Sequence, residues 1–189
     1  MLFEKKISLP FVTLIAMVVL TAFQLHNQGR LWVASSGRVY FWVSDTFSSD
    51  NSQHIFDPYS FSHMLHGLVF FFLLLWLFPR LPLYWRFVAS ATLEAGWELL
   101  ENSSFIIERY RHTTAAIGYN GDTIVNSVFD IICCSTGFVI AHYLGGKKTF
   151  MLFILVEVVM ILCIKDSLML NVLMLIYPFE SIKTWQLGG

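Results

Sequence analysis

Ser62-His63-Met64-Leu65-His66-Gly67-Leu68-Val69-Phe70-Phe71-Phe72-Leu73-Leu74-Leu75-Trp76-Leu77-Phe78 is the stretch on which the fold turns. Beyond Gly67 it holds only apolar and aromatic side chains, and its length suits a helix crossing the hydrocarbon of a bilayer. Two imidazoles open it, so one end of that helix carries polar chemistry. The same pattern of ionisable groups set in apolar runs recurs along the chain, at Glu94, Glu98, Glu101, Asp122, Asp130 and Glu157. An acidic residue near the centre of a spanning helix costs roughly 2.5–3.5 kcal/mol. Leaving the four deepest (Glu94, Glu98, Asp130, Glu157) unpaired would cost on the order of 10 kcal/mol, so the set must be paired.

Composition agrees. The chain is 56% hydrophobic and 13% charged, with a mean hydropathy of +0.63, far from a soluble domain's balance. Its 18 phenylalanines and 6 tryptophans suit lipid contact and interfacial belts. A net charge of -1 argues against nucleic acid as a partner. Cys133, Cys134 and Cys163 lie in apolar runs, where cysteine packs as a small buried residue, and their spacing matches no metal motif or disulfide framework. With no linker and no internal repeat, residues 1–189 form a single integral membrane domain.

Further candidate spans are about Ser8 to Leu25, Leu83 to Glu101, Asp122 to Leu144 and Thr149 to Ile164. The first has no small-x-small cleavage site before Gln24 and reads as an uncleaved anchor. Leu168 to Tyr177 is too short to cross unaided. The expected fold class is therefore all-α: a polytopic helical membrane protein of about five spanning helices plus a short C-terminal re-entrant or tilted helix. Leu31-Trp-Val-Ala and Arg38-Val-Tyr-Phe-Trp-Val, about Ser-Ser-Gly, read as a small β-hairpin in the first outer loop or as an aromatic segment in the interface.

Basic residues gather in the short connections Arg80–Arg86 and Lys147–Lys148 and at Lys5 and Lys6, all on one side of a five-span arrangement. The positive-inside rule places that side, and the N-terminus, in the cytoplasm and the long first loop outside. Arg109 and Arg111 then lie outside. With this orientation every polar cluster falls in the outer half of the membrane. Glu94, Glu98 and Glu101 (i, i+4, i+7) share one helix face. Asp122, Asn126 and Asp130 share another, spanning about 12 Å of depth. His63 and His66 are neighbours at i, i+3. Each stripe should face the bundle interior, with Arg109-Tyr110-Arg111-His112 near the mouth.

The residues keep more than one role open. The histidine pair suits interfacial hydrogen bonding, metal ligation or acid–base work. The carboxylates suit structural pairing with Arg109, Arg111 and Lys165, or protonated, metal-bound or substrate-facing roles. Asp122 after Gly121 suits a helix N-cap, whereas Asp130 lies too deep for one. Asp166 and Asn171 suit capping and hydrogen bonding of the last short helix, and Asp57-Pro58 suits a turn and helix start leading from the outer loop into the second span.

Several runs together resemble a known family. They are Ser52-Gln53-His54, Asp57-x-Tyr59-x-x-Ser62-His63-x-x-His66-Gly67, Trp97-Glu98-x-x-Glu101-Asn102-Ser103 and Arg109-Tyr110-Arg111. Tyr119-x-Gly121-Asp122-x-x-x-Asn126-Ser127-x-x-Asp130, Lys165-Asp166-x-Leu168-x-Leu170-Asn171 and Trp185-Gln186 complete the set. The pattern is similar to the bacterial inner-membrane proteins of the domain-of-unknown-function 2585 type, over nearly the whole chain after Asn51. A more distant likeness is to VanZ-like envelope proteins. The resemblance implies membrane location and a motif set, and no reaction.

The leading expectation is an envelope enzyme acting at the outer leaflet on a lipid or lipid-linked molecule with an anionic head. Arg109, Arg111 and Asn126 would bind that head. His63, His66, Glu98, Glu101, Asp122 and Asp130 would supply the catalytic groups, with His63, His66, Glu101 and Asp122 as ligands if a divalent metal is the cofactor. The alternatives are a non-catalytic membrane assembly or scaffold factor, whose acids pair across helices for specificity, and a small proton-coupled transporter using them as a relay.

Overall fold

Helix α2 (Ser60–Leu77) is the centre of the fold, and every other long helix is placed by what it buries against α2 or the neighbours of α2. The computed structural model describes residues 2–188, with side chains from Leu9 onward, so the orienting Lys5 and Lys6 lie outside the described side chains. The described residues form seven helices. Besides α2 these are α1 (Leu2–Asn27), α3 (Leu83–Glu101), α4 (Ser104–Thr113), α5 (Ile124–Ile164), α6 (Leu168–Ile176) and α7 (Glu180–Gln186).

The long α5 is two antiparallel arms. At Gly145 the backbone takes φ 71° and ψ 174°, a conformation that glycine alone adopts without strain, and the chain reverses there. The reversal lets both arms flank α2. Ser62 meets Met160 of the second arm, Gly67 abuts Cys134 of the first, and Phe72 reaches the turn at Gly146. Leu65, Leu68, Phe71 and Leu74 of α2 pack with Phe138 and Ala141 in one apolar cluster, against which Phe153 and Val156 also rest. Gly67 and Gly137 make this contact close. A Cβ on Gly67 would overlap the carbonyl oxygen of Cys134, and one on Gly137 that of Met64. Small residues at a helix crossing let backbones touch. Helix α1 closes the other side, packing Leu14, Met17 and Val18 on Ala91, Ala95 and Ile131, and Ala22 and Leu25 on Ile124.

Two expectations need correction. Five spans are not supported. Among the described residues two helices are long and apolar enough to cross a membrane, Leu9–Asn27 and Ser60–Leu77. Helix α3 carries Arg86 and three glutamates in its 19 residues, and α5 carries Asp130, Lys147, Lys148 and Glu157, which dilute the apolar signal. The outer-loop β-hairpin is also absent: the described residues contain no strand, only an isolated bridge between Trp42 and Phe56. The two β-prone runs have other partners. The carbonyls of Leu31 and Trp32 accept from the N–H groups of Ile124 and Val125, satisfying the start of α5. Tyr40, Phe41 and Val43 instead bond to Ile55 and Phe56.

The surface is apolar where the interior is polar. Trp76 (77%), Tyr143 (81%) and Leu162 (78%) are exposed on the long helices, while Glu94 and Glu98 are wholly buried among them (both 0%).

Candidate functional site

His63 and His66 project from one face of α2 onto Glu94 of α3. The Glu94 carboxylate spans both rings. Its Oε1 lies 2.6 Å from His63 Nδ1 and 3.1 Å from His66 Nδ1, and its Oε2 lies 2.9 Å from His66 Nδ1. One turn further along α3, Glu98 Oε1 is 3.3 Å from the same His63 Nδ1. On the opposite side of the ring, His63 Nε2 faces Asp130 Oδ2 of α5 at 3.8 Å. His66 is held between Phe70, stacked at 5.7 Å, and Trp97 at 6.0 Å. The three polar stripes of α2, α3 and α5 thus meet at one imidazole.

Much of this cluster has no internal partner. Both oxygens of Glu98, Oδ1 of Asp130 and Oε2 of Glu101 are buried without a hydrogen-bond partner, as is the Asn126 amide nitrogen. Buried polar groups are normally satisfied, so unsatisfied ones mark strain, a functional role or a missing ligand. Two triplets could hold a metal ion, His63–His66–Glu94 and His63–Glu98–Glu101, the donor atoms of each lying within 4.8 Å of one another.

The cluster forms the floor of a cavity of about 640 Å³. His63, His66, Glu101, Asp122, Asn126 and Asp130 all line it. Leu168, Val172 and Leu175 of α6 supply an apolar wall, and Phe47 and Ile117 from two loops stand at the mouth. None of the described lining residues is lysine or arginine.

Asp122 sits apart from both triplets. Thr123 caps α5, accepting from the Asn126 N–H, so the capping role foreseen for Asp122 belongs to its neighbour. The Asp122 carboxylate accepts from the Asn102 amide at 2.8 Å and from the Tyr119 hydroxyl at 2.9 Å, while its own N–H donates to Asn102 Oδ1 at 2.7 Å. Burial pushes its carboxyl up to about 6, against the lowering effect of these two side-chain donors.

Neither arginine enters the cavity. Arg109 donates to the carbonyls of Leu175 and Ile176, at the end of α6, and Arg111 to the Tyr119 carbonyl, Glu108 and Asn120. Lys165 and Lys183 donate likewise, to the carbonyls of Trp185 and His112. Cations at helix ends satisfy carbonyls that the helices leave open. Together these bonds fasten α4, α6 and α7 over the site.

The cap foreseen for Asp166 and Asn171 also belongs to a neighbour, while these two residues hydrogen-bond each other beside it. Ser167 caps α6 by accepting from the Leu170 N–H. Asp166 accepts from Asn171 and, at 3.2 Å, from the Tyr59 hydroxyl, tying α6 to the start of α2. Glu157, whose role the sequence left open, accepts from the Met169 N–H and fixes the same turn. Ser52, His54 and Asp57 organise the outer loop. Asp57 accepts from the N–H groups of Ser52 and Tyr59, and His54 from that of Tyr40.

The site residues foreseen from sequence omit Glu94, the carboxylate nearest both histidines. Its i, i+4, i+7 relation to Glu98 and Glu101 was the signal that could have found it. Asn102, Tyr110 and Tyr119 carry no such periodic signal.

A family model described as "Protein of unknown function (DUF2585)" matches residues 25–188. A UPF0314 protein of Brucella anthropi is 44% identical over 174 residues, covering 92% of this chain and 88% of the relative. One from Paracoccus denitrificans is 41% identical over 179 residues (95% and 93%), and one from Sphingopyxis alaskensis 42% over 174 (92% and 93%). No solved structure matches. On the family match and these relatives, the chain belongs to the DUF2585 family, a bacterial family of unknown function.

Proposed function

We propose that this protein is a multi-pass enzyme of the bacterial inner membrane, its N-terminus cytoplasmic, whose outward-facing polar chamber binds a divalent metal and acts on a lipid or lipid-linked substrate with an anionic head. The observation that carries the proposal is Glu98: fully buried, both oxygens without a hydrogen bond, and 3.3 Å from the ring of His63, which itself lines a large cavity. A carboxylate in such a place is stable when a cation completes it.

Three features support the rest. Apolar side chains outside and charged ones inside reverse the order of a water-soluble helical bundle and suit lipid surroundings. The chamber pairs a polar floor with the apolar wall of α6, which fits an amphiphile. None of the described lining residues is lysine or arginine, so a divalent ion held by His63, Glu98 and Glu101 would receive an anionic head, and Arg109 and Arg111 hold the frame instead. Such an ion would supply Lewis-acid polarisation of the head group. Asp122, near 6 at the chamber wall, is poised to exchange a proton with the substrate, and the free Asn126 amide donates to the head.

A scaffold role is the competing reading, favoured by the buried contact of Glu94 with both histidines. The test uses the protein in nanodiscs of inner-membrane lipid extract, with Mn²⁺ or Zn²⁺ or with EDTA, followed by lipid mass spectrometry. Metal-dependent loss of one anionic lipid class is expected. Glu101→Gln and Asp122→Asn should abolish it with melting close to wild type. Loss of about 3–5 kcal/mol of stability in step with activity at both positions, the cost of orphaning a buried ionic partner, identifies a scaffold instead.

A further inference from the structure

We infer that the site is a dinuclear metal centre, with Glu94 bridging two divalent ions. The inference rests on the metal-binding reading of the chamber and deepens it.

Two donor triplets share His63, and one imidazole nitrogen cannot complete both. Glu94 resolves the conflict. Its Oε1 reaches both rings, whose centroids are 5.5 Å apart, and its Oε2 reaches His66 alone, so one carboxylate can serve an ion at each ring. Carboxylate-bridged metal pairs stand about 3.5–4 Å apart, which suits two ligands so spaced. One ion is held by His66 Nδ1 and one Glu94 oxygen. The second is held by His63 Nδ1, the other Glu94 oxygen, Glu98 and Glu101. His63 Nε2 then faces Asp130 Oδ2 at 3.8 Å, an electrostatic contact on the side of the ring away from the ion.

Charge selects two ions over one. Glu94, Glu98, Glu101 and Asp130 are four carboxylates, and among the described residues no lysine or arginine forms an ion pair with any of them. Two divalent ions neutralise all four, whereas one leaves two negative charges in a buried, poorly solvated site. Asp122 is not among the ligands, since Asn102 and Tyr119 occupy its oxygens and it belongs to neither donor triplet. The donors that await an ion are independently visible as the unpartnered oxygens of Glu98 and Glu101. A mixed imidazole–carboxylate set suits Mn²⁺, Fe²⁺ or Zn²⁺ over softer ions.

The test is metal stoichiometry on the full-length protein in detergent, stripped with EDTA and reloaded with Mn²⁺ or Zn²⁺ alone. Two ions per chain are expected, with the electron paramagnetic resonance of the Mn²⁺ form showing a spin-coupled pair. His66→Asn should lower the content by about half and leave the spectrum of an isolated ion. Retained helical circular dichroism shows that the variant folds, and Glu98→Gln provides a second loss on the other ion. One ion per chain in the wild type, unaffected by His66→Asn, overturns the dinuclear centre and leaves a mononuclear enzyme standing. No bound metal in the wild type overturns both.

Discussion

Asp166 shows how a single buried carboxylate is placed by its donors. It accepts from Tyr59, Asn171 and the Ser167 N–H, yet burial outweighs them and lifts its carboxyl from 3.8 to about 6. A carboxyl raised on folding binds its proton more tightly in the native state. Its stabilising effect is therefore full below about pH 4 and is lost as pH rises through about 6. Two units correspond to at most about 3 kcal/mol. Asp166→Asn removes this titration, and the unpartnered Asn171 Oδ1 can turn to accept from the new amide. Across pH 4 to 6.5, urea or thermal unfolding should show the variant gaining on wild type by up to about 3 kcal/mol. A stability difference that is flat with pH would remove the linkage.

Between helices, the contact of α2 with the first arm of α5 sets the geometry of the site, because His63 and His66 flank Met64, and Met64 touches Gly137. Gly67→Ala or Gly137→Ala would drive a methyl into a backbone carbonyl that no side-chain rotation can relieve. Each should destabilise the protein by about 1–3 kcal/mol, typical of overpacking, read as a lower melting temperature in detergent. An unchanged melting temperature in both would mean that the helices can separate freely. The helix positions were legible as apolar runs: Leu83 to Glu101 matches α3, and the break between Leu144 and Thr149 is where Gly145 reverses α5. Helix α4 was not legible. Its sequence, Ser-Phe-Ile-Ile-Glu-Arg-Tyr-Arg-His-Thr, is short and charged, and its ends are held by the Ser103 cap and by Arg109 reaching α6.

For the whole molecule, the proposed function turns on the direction in which the bundle would thread a bilayer. The proposed orientation puts the chamber mouth and the loop holding Ser49 outside, and the α5 turn with Lys147 in the cytoplasm. Ser49→Cys and Lys147→Cys, each in a background without Cys133, Cys134 and Cys163, test it with a membrane-impermeant thiol reagent on intact cells. Labelling is expected at position 49 alone. Labelling at 147 alone reverses the orientation and places the chamber on the cytoplasmic side.

Sequence by itself determined the helical class, the helix-sized apolar runs and the three polar stripes, because hydrophobic periodicity is a local property of the chain. It also singled out most of the residues that share the chamber. Only the tertiary structure decided which of them touch. Glu94 became the carboxylate between both histidines because α2 and α3 pack at one particular rotation, which spacing along either helix does not specify. Arg109 turned from the chamber to carbonyls at the end of α6, and Arg111 to the loop carbonyl of Tyr119, because those acceptors are created only when α6 and the loop before α5 fold beside α4. The β-prone runs near Leu31 and Tyr40 likewise found partners far along the chain, at the start of α5 and at Phe56, since the backbone donors of a helix end must be satisfied wherever it comes to rest.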